Sequence, residues 1–408
     1  MKILGIIAEY NPFHNGHAFH IREALKTSKC DVAVIVMSGD FVQRGEPAIF
    51  PKHLRAKMAL SEGASVVLEL PACFATGSAE YFARGAVSLL HSLGCIDALC
   101  FGSESGNIEE LSSIADILFE EPEPYKEELK SCLRQGMSYP LARQHALATY
   151  TENEHLSQVL ASPNNILGIE YLKALKTLGS NIQPFTIIRR GAGYHETTLY
   201  EQYSSASAIR KCFVQNDRES VSVQVPYTSY RFMQDYCSIK GPVTCDDFSL
   251  LLKHKLLTET LESLCTYADI SEDLAHRIMN QRNHLINWSQ FCELLKTKEL
   301  TFSRISRALM HIVLNIKLED LDSCKTDGYC HYARLIGFRT ADRSVLKAFK
   351  THSQVPVITK IGSCDSLSET GMQMLEKDCY AANLYESVVT DKFQTSFTEE
   401  RSQSLCIL

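Results

Sequence analysis

His14 and His17 are the residues of this chain whose type and spacing are best suited to chemistry. They lie three apart in Asn11-Pro12-Phe13-His14-Asn15-Gly16-His17, so from a first helical turn both can face one bound anion. Two imidazoles in that position can donate N–H bonds to phosphate oxygens as charge grows on them. Gly16 removes a Cβ where a ligand must approach closely. Each feature also has an ordinary reading, a surface histidine or a glycine that shapes a turn. The functional reading rests on their conjunction.

The elements that must position the pair can be read on either side of it. Ile3–Ala8 is an apolar run of strand length with no charge inside it. Asn11-Pro12 is turn chemistry, and His20–Lys26 reads as a helix. A strand passing through a tight turn into a helix leaves unpaired N–H groups, and the positive end of the helix dipole, where a phosphate can sit. A nucleotide is therefore expected against Ile7, Ala8, Glu9, Tyr10, Asn11, Pro12, Phe13, His14, Asn15, Gly16, His17, Ala18, Phe19 and His20.

Further strands are expected at Asp31–Met37, Ser65–Leu70, Ile96–Phe101 and Gln183–Arg190, with helices at 52–60, 79–93 and 166–178. Apolar strands alternating with helices predict an α/β fold, a parallel sheet covered on both faces. Such sheets bind ligands beyond the carboxyl ends of their strands, a rule that gathers Glu9, His14, His17, Ser38, Asp40 and Gly102 at one edge. Asn165, just inside a helix start, is either a capping residue or a ligand contact. Arg189 and Arg190 open a basic, glycine-rich exit, RRGAGYH, that suits a triphosphate. Ser207 and Arg210 begin another helix. Arg44, Lys52 and Arg55 lie beyond the second strand, where they read as contacts to a nucleic-acid backbone or as a solvated face.

A length of 408 residues predicts two or three domains. Residues 1–220 read as the nucleotide-binding domain with a helical insertion near 107–160, and 221–408 as a mainly α-helical domain. In that second part Val355–Ile358 reads as an isolated strand and the last ten residues as frayed. Arg304 and Arg307, and Arg334, Arg339, Arg343, Lys347 and Lys350, form local basic concentrations in a chain of net charge −7. That balance excludes wholesale coating of nucleic acid but not a local groove. Fifteen cysteines include no C-x-x-C pair, so neither a zinc cluster nor a disulfide framework is expected, and no residue is assigned as a metal ligand. Most of the thiols read as small core hydrophobes in a reducing cytoplasm. Glu9 and Asn11 interrupt the N-terminal apolar run, no stretch approaches a membrane span, and Cys406 stands one position too late for prenylation.

Taken together, NPFHNGH, SGDFVQRGEP, PNNILGIEY, RRGAGYH and SASAIR resemble the bacterial tRNA(Met) cytidine acetate ligase family, closely over residues 1 to 215 and more loosely beyond. His-Asn-Gly-His is then a variant of the HIGH signature of nucleotidyltransferases. The resemblance implies a Rossmann-like domain, ATP as co-substrate with Mg²⁺, and acetate and elongator tRNA(Met) as partners, with no DNA and no membrane. It implies that acetate and ATP form acetyladenylate, and that the acetyl group passes to N4 of the wobble cytidine. One departure is visible. The second signature of the superfamily reads Ile-Ser-Ser-Thr-x-Ile-Arg, and here Ala206 replaces a hydroxyl residue, leaving Ser205, Ser207 and Arg210 for phosphate. The absence of a Lys-Met-Ser-Lys-Ser loop argues against an aminoacyl-tRNA synthetase.

Acetate is an anion at neutral pH, so adenylate formation needs alignment and charge stabilisation rather than a base. His14, His17, Arg190 and Arg210 are expected to supply these. Acylation of an exocyclic amine does need a proton acceptor, for which Asp40 is the first choice, ahead of Glu9 and Glu104. Asp40 reads equally as a loop cap. The competing functions are a small-molecule cofactor adenylyltransferase and a nucleotide-sensing RNA-binding protein. The extra length, roughly 190 residues with basic helices, favours a macromolecular substrate.

Overall fold

Ile3–Ala8 forms strand β1 in the middle of a mostly parallel sheet. The structure is a computed structural model, and it describes residues 1–189, 205–362 and 366–408. The other strands are β2 (Val32–Ser38), β3 (Phe41–Val42), β4 (Glu46–Pro47), β5 (Val66–Leu70), β6 (Ala98–Ser103), β7 (Gln183–Ile188), β8 (Ala333–Phe338), β9 (Val357–Ile358) and β10 (Cys406–Ile407). The sheet order is β10-β8-β5-β2-β1-β6-β7, with β9 also on β8 and β3-β4 forming a separate hairpin. β8 runs antiparallel to β5, and the other pairings in the large sheet are parallel.

The period-2 alternation of a strand sorts the side chains into two cores. Ile3, Ile7, Val34, Val36, Val66 and Leu68 pack on one face of the sheet. Leu4, Ile6, Ala33, Ile35, Met37 and Val67 pack on the other. Helices α1 (Asn15–Ser28), α2 (Lys52–Ser61), α3 (Ala72–Ala75) and α4 (Ala79–Ser92) connect the central strands. Between β6 and β7 the chain forms α5 (Ile108–Glu120), α6 (Glu123–Arg134), α7 (Tyr139–Thr151), α8 (Glu154–Val159) and α9 (Pro163–Thr177). α10 (Ala206–Val214) follows.

The C-terminal half is mainly helical, yet residue 220 marks no break in the sheet. β8, β9 and β10 all come from beyond it and extend the sheet past β5. Periodicity missed β8 because a six-residue apolar run, ARLIGF, is short and stands among helices. β9 is paired rather than isolated. The C-terminal residues are also tied down: β10 pairs with β8, and Glu400 is buried. Glu400 meets Lys52 Nζ at 2.8 Å and pairs with Arg334. Lys52 Nζ also meets Glu69 at 2.6 Å, and Arg334 meets Glu69 at 2.7 Å. Among the described residues, no helix is long and apolar enough to cross a membrane.

Candidate active site at the head of the central strand

β1 has β2 on one side and β6 on the other, so the chain's direction of travel across the sheet reverses at this strand. A crevice opens where such a reversal occurs. The carboxyl ends of β1, β6 and β7 and the first turns of α1, α9 and α10 line an open cavity there.

His14 is the N-cap of α1. Its Nδ1 accepts the Gly16 amide at 3.1 Å, and His17 Nδ1 accepts the His14 amide at 3.3 Å. Both Nδ1 atoms act as acceptors, so each neutral ring carries its proton on Nε2 and can donate from there. The two rings stack with centroids 3.7 Å apart, and both line the cavity. Burial, with Arg189 and Arg210 nearby, lowers the His14 pKa to about 3. Burial and the neighbouring His14 hold His17 well below its ordinary value, and burial beside Arg189 lowers His20 to about 4. The imidazoles are therefore neutral at neutral pH, and a polyphosphate beside them favours their charged form.

Arg44, Arg189 and Arg210 line the same cavity. Arg210 donates to the Asn11 carbonyl at 2.8 Å and to Ser207 Oγ at 3.3 Å, and it lies 3.6 Å from Glu46. Glu9 accepts the Gln43 amide at 2.7 Å. Burial raises the Glu9 pKa, against the pull of that amide and of Arg44 and Arg210. The β3-β4 hairpin that carries Gln43, Arg44 and Glu46 is anchored from behind. Gly45 has φ +70, its carbonyl accepts from Ser306 at 2.8 Å, and a Cβ there would collide with the Arg307 amide nitrogen. The helix Phe302–Leu314 thus positions one wall of the site.

Of the residues expected at a nucleotide, Ile7, Ala8, Glu9, Tyr10, Asn11, Gly16, Phe19, His20 and Gly102 line the cavity with the two histidines. The others are placed elsewhere. Phe13 is fully buried in the core, and Asn15 donates to Val223 at 3.0 Å. Pro12 and Ala18 are not among the lining residues. Asn165 points away from the cavity: its Oδ1 accepts from the Glu104 and Ser105 amides at 2.9 and 3.1 Å, and Asn164 lines the wall in its place. Glu104 in turn accepts the Asn165 amide at 2.9 Å, which caps α9.

Asp40 and Ser38 stand at the expected sheet edge but are sealed beneath it. Asp40 accepts the Lys52 amide at 2.7 Å and lies 3.8 Å from Lys52 Nζ, so the capping reading describes its place. The Ser38 carbonyl accepts from Arg55 at 3.1 Å. Lys52 and Arg55 are fully buried and present no face to RNA. Arg55 instead gathers the carbonyls of Glu9, Ser38, Gly39 and Phe50 behind the site.

Arg339 and Arg343 follow β8, whose antiparallel course carries them to the opposite edge of the sheet. The Arg339 amide donates to Ser65, at the start of β5, at 2.9 Å. Arg190 and most of RRGAGYH lie outside the described residues.

An apolar wall of Phe82, Phe101, Leu167, Tyr171, Ile187 and Ile188 was not foreseen. Asn164, Leu167 and Tyr171 recur at i, i+3 and i+7 on α9, a spacing that would have marked this face.

Comparison with known proteins agrees with this geometry. The HIGH Nucleotidyl Transferase family model matches residues 1–401. A tRNA(Met) cytidine acetate ligase of Caldanaerobacter subterraneus is 43% identical over 387 residues, covering 94% of this chain and 95% of its own. The tRNA(Met) cytidine acetate ligase of Acetivibrio thermocellus is 40% identical, with all of both chains covered. The crystal structures of Thermotoga maritima TmcAL, apo and bound with alpha-thio ATP, superpose over the whole of both chains with TM-scores of 0.95 and 0.93 at 33% identity. The chain belongs to the tRNA(Met) cytidine acetate ligase family of HIGH nucleotidyl transferases.

Proposed function

We propose that this protein activates acetate with ATP to acetyladenylate and transfers the acetyl group to N4 of the wobble cytidine of elongator tRNA(Met), forming N4-acetylcytidine. The observation that carries this reading is the stacked histidine pair, its Nδ1 atoms occupied by backbone amides, lining a cavity that also holds three arginines. The names of the relatives and the ATP analogue bound to the Thermotoga protein support it.

The first step is in-line attack of acetate on the α-phosphorus, with pyrophosphate leaving. Nε2–H donors from His14 and His17 and the guanidinium groups of Arg189 and Arg210 stabilise the charge that develops. The aromatic and aliphatic wall takes the adenine ring. Glu46 is a lining carboxylate of the kind that would hold Mg²⁺ together with substrate phosphates, where the ion would supply counter-charge for pyrophosphate.

In the second step the N4 amine attacks the acetyl carbonyl, the acyl–phosphate bond breaks to release AMP, and the amine loses a proton. Glu9 replaces Asp40 as our acceptor, because it lines the cavity and its burial makes it a stronger base. Arg44, at the same cavity, is the nearest contact we assign to RNA. Arg339 and Arg343, about 20 Å away by strand length, can meet only RNA backbone remote from the reacting base. A reducing cytoplasm suits the unpaired thiols of the described residues.

The test is exchange of labelled pyrophosphate into ATP that requires acetate, followed by mass spectrometry of nucleosides from tRNA incubated with both. Exchange that requires a phosphorylated small molecule instead would favour the cofactor adenylyltransferase. ATP binding with no exchange would leave only the sensor.

A further inference from the structure

We propose that Glu128, Cys132 and His145 form a zinc-binding site between α6 and α7, separate from the ATP cavity. Among the described residues, this trio brings one ligand atom from each side chain within 4.8 Å of the others. Glu128 and Cys132 stand at i and i+4 on α6 and so share a face. α7 packs against that face and supplies His145.

The two thiol separations suit either S–H hydrogen bonds or a metal, and the His145–Glu128 separation is long for a charged hydrogen bond. Cys132 Sγ lies 3.5 Å from Glu128 Oε1 and 3.4 Å from His145 Nδ1, and His145 Nδ1 lies 3.3 Å from Glu128 Oε1. A charged N–H···O contact closes to roughly 2.7–2.9 Å. Tetrahedral zinc with bonds of about 2.0–2.3 Å instead holds its ligand atoms roughly 3.3–3.6 Å apart. All three separations fall on such edges. Thiolate, imidazole and carboxylate are also the donor set that zinc accepts.

Cys132 is buried, while the Glu128 and His145 side chains are 30% and 54% exposed. The site is therefore open on one side, where water can complete the tetrahedron. Thr149 Oγ1 lies 3.5 Å from His145 Nδ1 on that same turn of α7. Burial, and Glu128 next to the thiol, raise the Cys132 pKa and favour the protonated sulfur. Binding forms the Zn–S bond and releases that proton to solvent.

The test uses the full chain after treatment with a chelator and dialysis, titrated with Co²⁺ and then Zn²⁺ alone. The expected result is one tight equivalent of Co²⁺ with the bands of a tetrahedral site and a thiolate charge-transfer band, displaced by Zn²⁺. Cys132→Ser abolishes the charge-transfer band. His145→Ala, at a half-exposed side chain, weakens binding by more than the roughly 10–100-fold that loss of an outer-shell partner costs. Zn²⁺ raises the melting temperature of the wild type and not of either variant, and all three proteins keep their pyrophosphate exchange. Equal Co²⁺ binding with the same spectrum in the wild type and Cys132→Ser would overturn the proposal, as would no binding by the wild type.

Discussion

Gly16 lies directly under the ring of His14: a Cβ on Gly16 would stand 2.9 Å from His14 Cε1 and 3.1 Å from Nδ1. The glycine therefore clears space for a partner histidine as well as for a ligand. Gly16→Ala should push the imidazole out of line while every histidine remains. Alanine is also the better helix former. The expected outcome is a fall in acetate-dependent pyrophosphate exchange of about 100-fold, the cost of misplacing a group by ~1 Å. The melting temperature should hold steady.

His17→Ala removes one Nε2–H donor and half of the capping box. Exchange should fall by about 10²–10³, the usual cost of one donor to developing oxyanion charge. Loss of that half of the box costs less than the ~1 kcal/mol of a whole N-cap, readable by urea unfolding. Undiminished exchange would remove His17 from the mechanism.

The depressed histidines make stability depend on pH. His14 and His20 titrate at about 3 and about 4 in the folded chain, against an ordinary value of 6.5. Between those limits the unfolded chain binds more protons, so stability rises with pH and is fully present above 6.5. Acidification from 6.5 toward 4 should therefore lower the melting temperature. The double variant His14→Asn, His20→Gln should show a shallower decline. Saturating ATP should flatten the wild-type decline, because phosphate favours the charged rings.

Glu9→Gln separates the two half-reactions. Acetyl transfer to tRNA should fall by about 10²–10⁴, the range for loss of a general base. Pyrophosphate exchange should change far less, because acetate needs no base. An equal loss in both would show Glu9 acting in ATP binding alone.

Glu400→Gln leaves Lys52 and Arg334 short of a buried counter-charge. Such losses cost roughly 3–5 kcal/mol, measurable by chemical denaturation. Deleting residues 400–408 should cost at least as much, since β10 leaves with Glu400.

Much of the catalytic half was legible in the residues alone. The strand, turn and helix around His14 and His17 are local features: apolar run, turn chemistry, helix start. Their period and punctuation survive in the linear order. Strands that alternate with helices also set the parallel sheet, and hence the edge where ligands bind.

Tertiary structure decided what depends on pairing across distance. β8 joins the sheet from more than 260 residues beyond β5, reversing the strand direction and carrying Arg339 and Arg343 to the far edge. Asp40 and Glu9 look alike as carboxylates after strands. Only packing shows that Lys52 seals the first beneath the sheet edge and that the second faces the cavity. Burial and counter-charge are properties of the folded chain's surroundings, and residue order does not encode them locally.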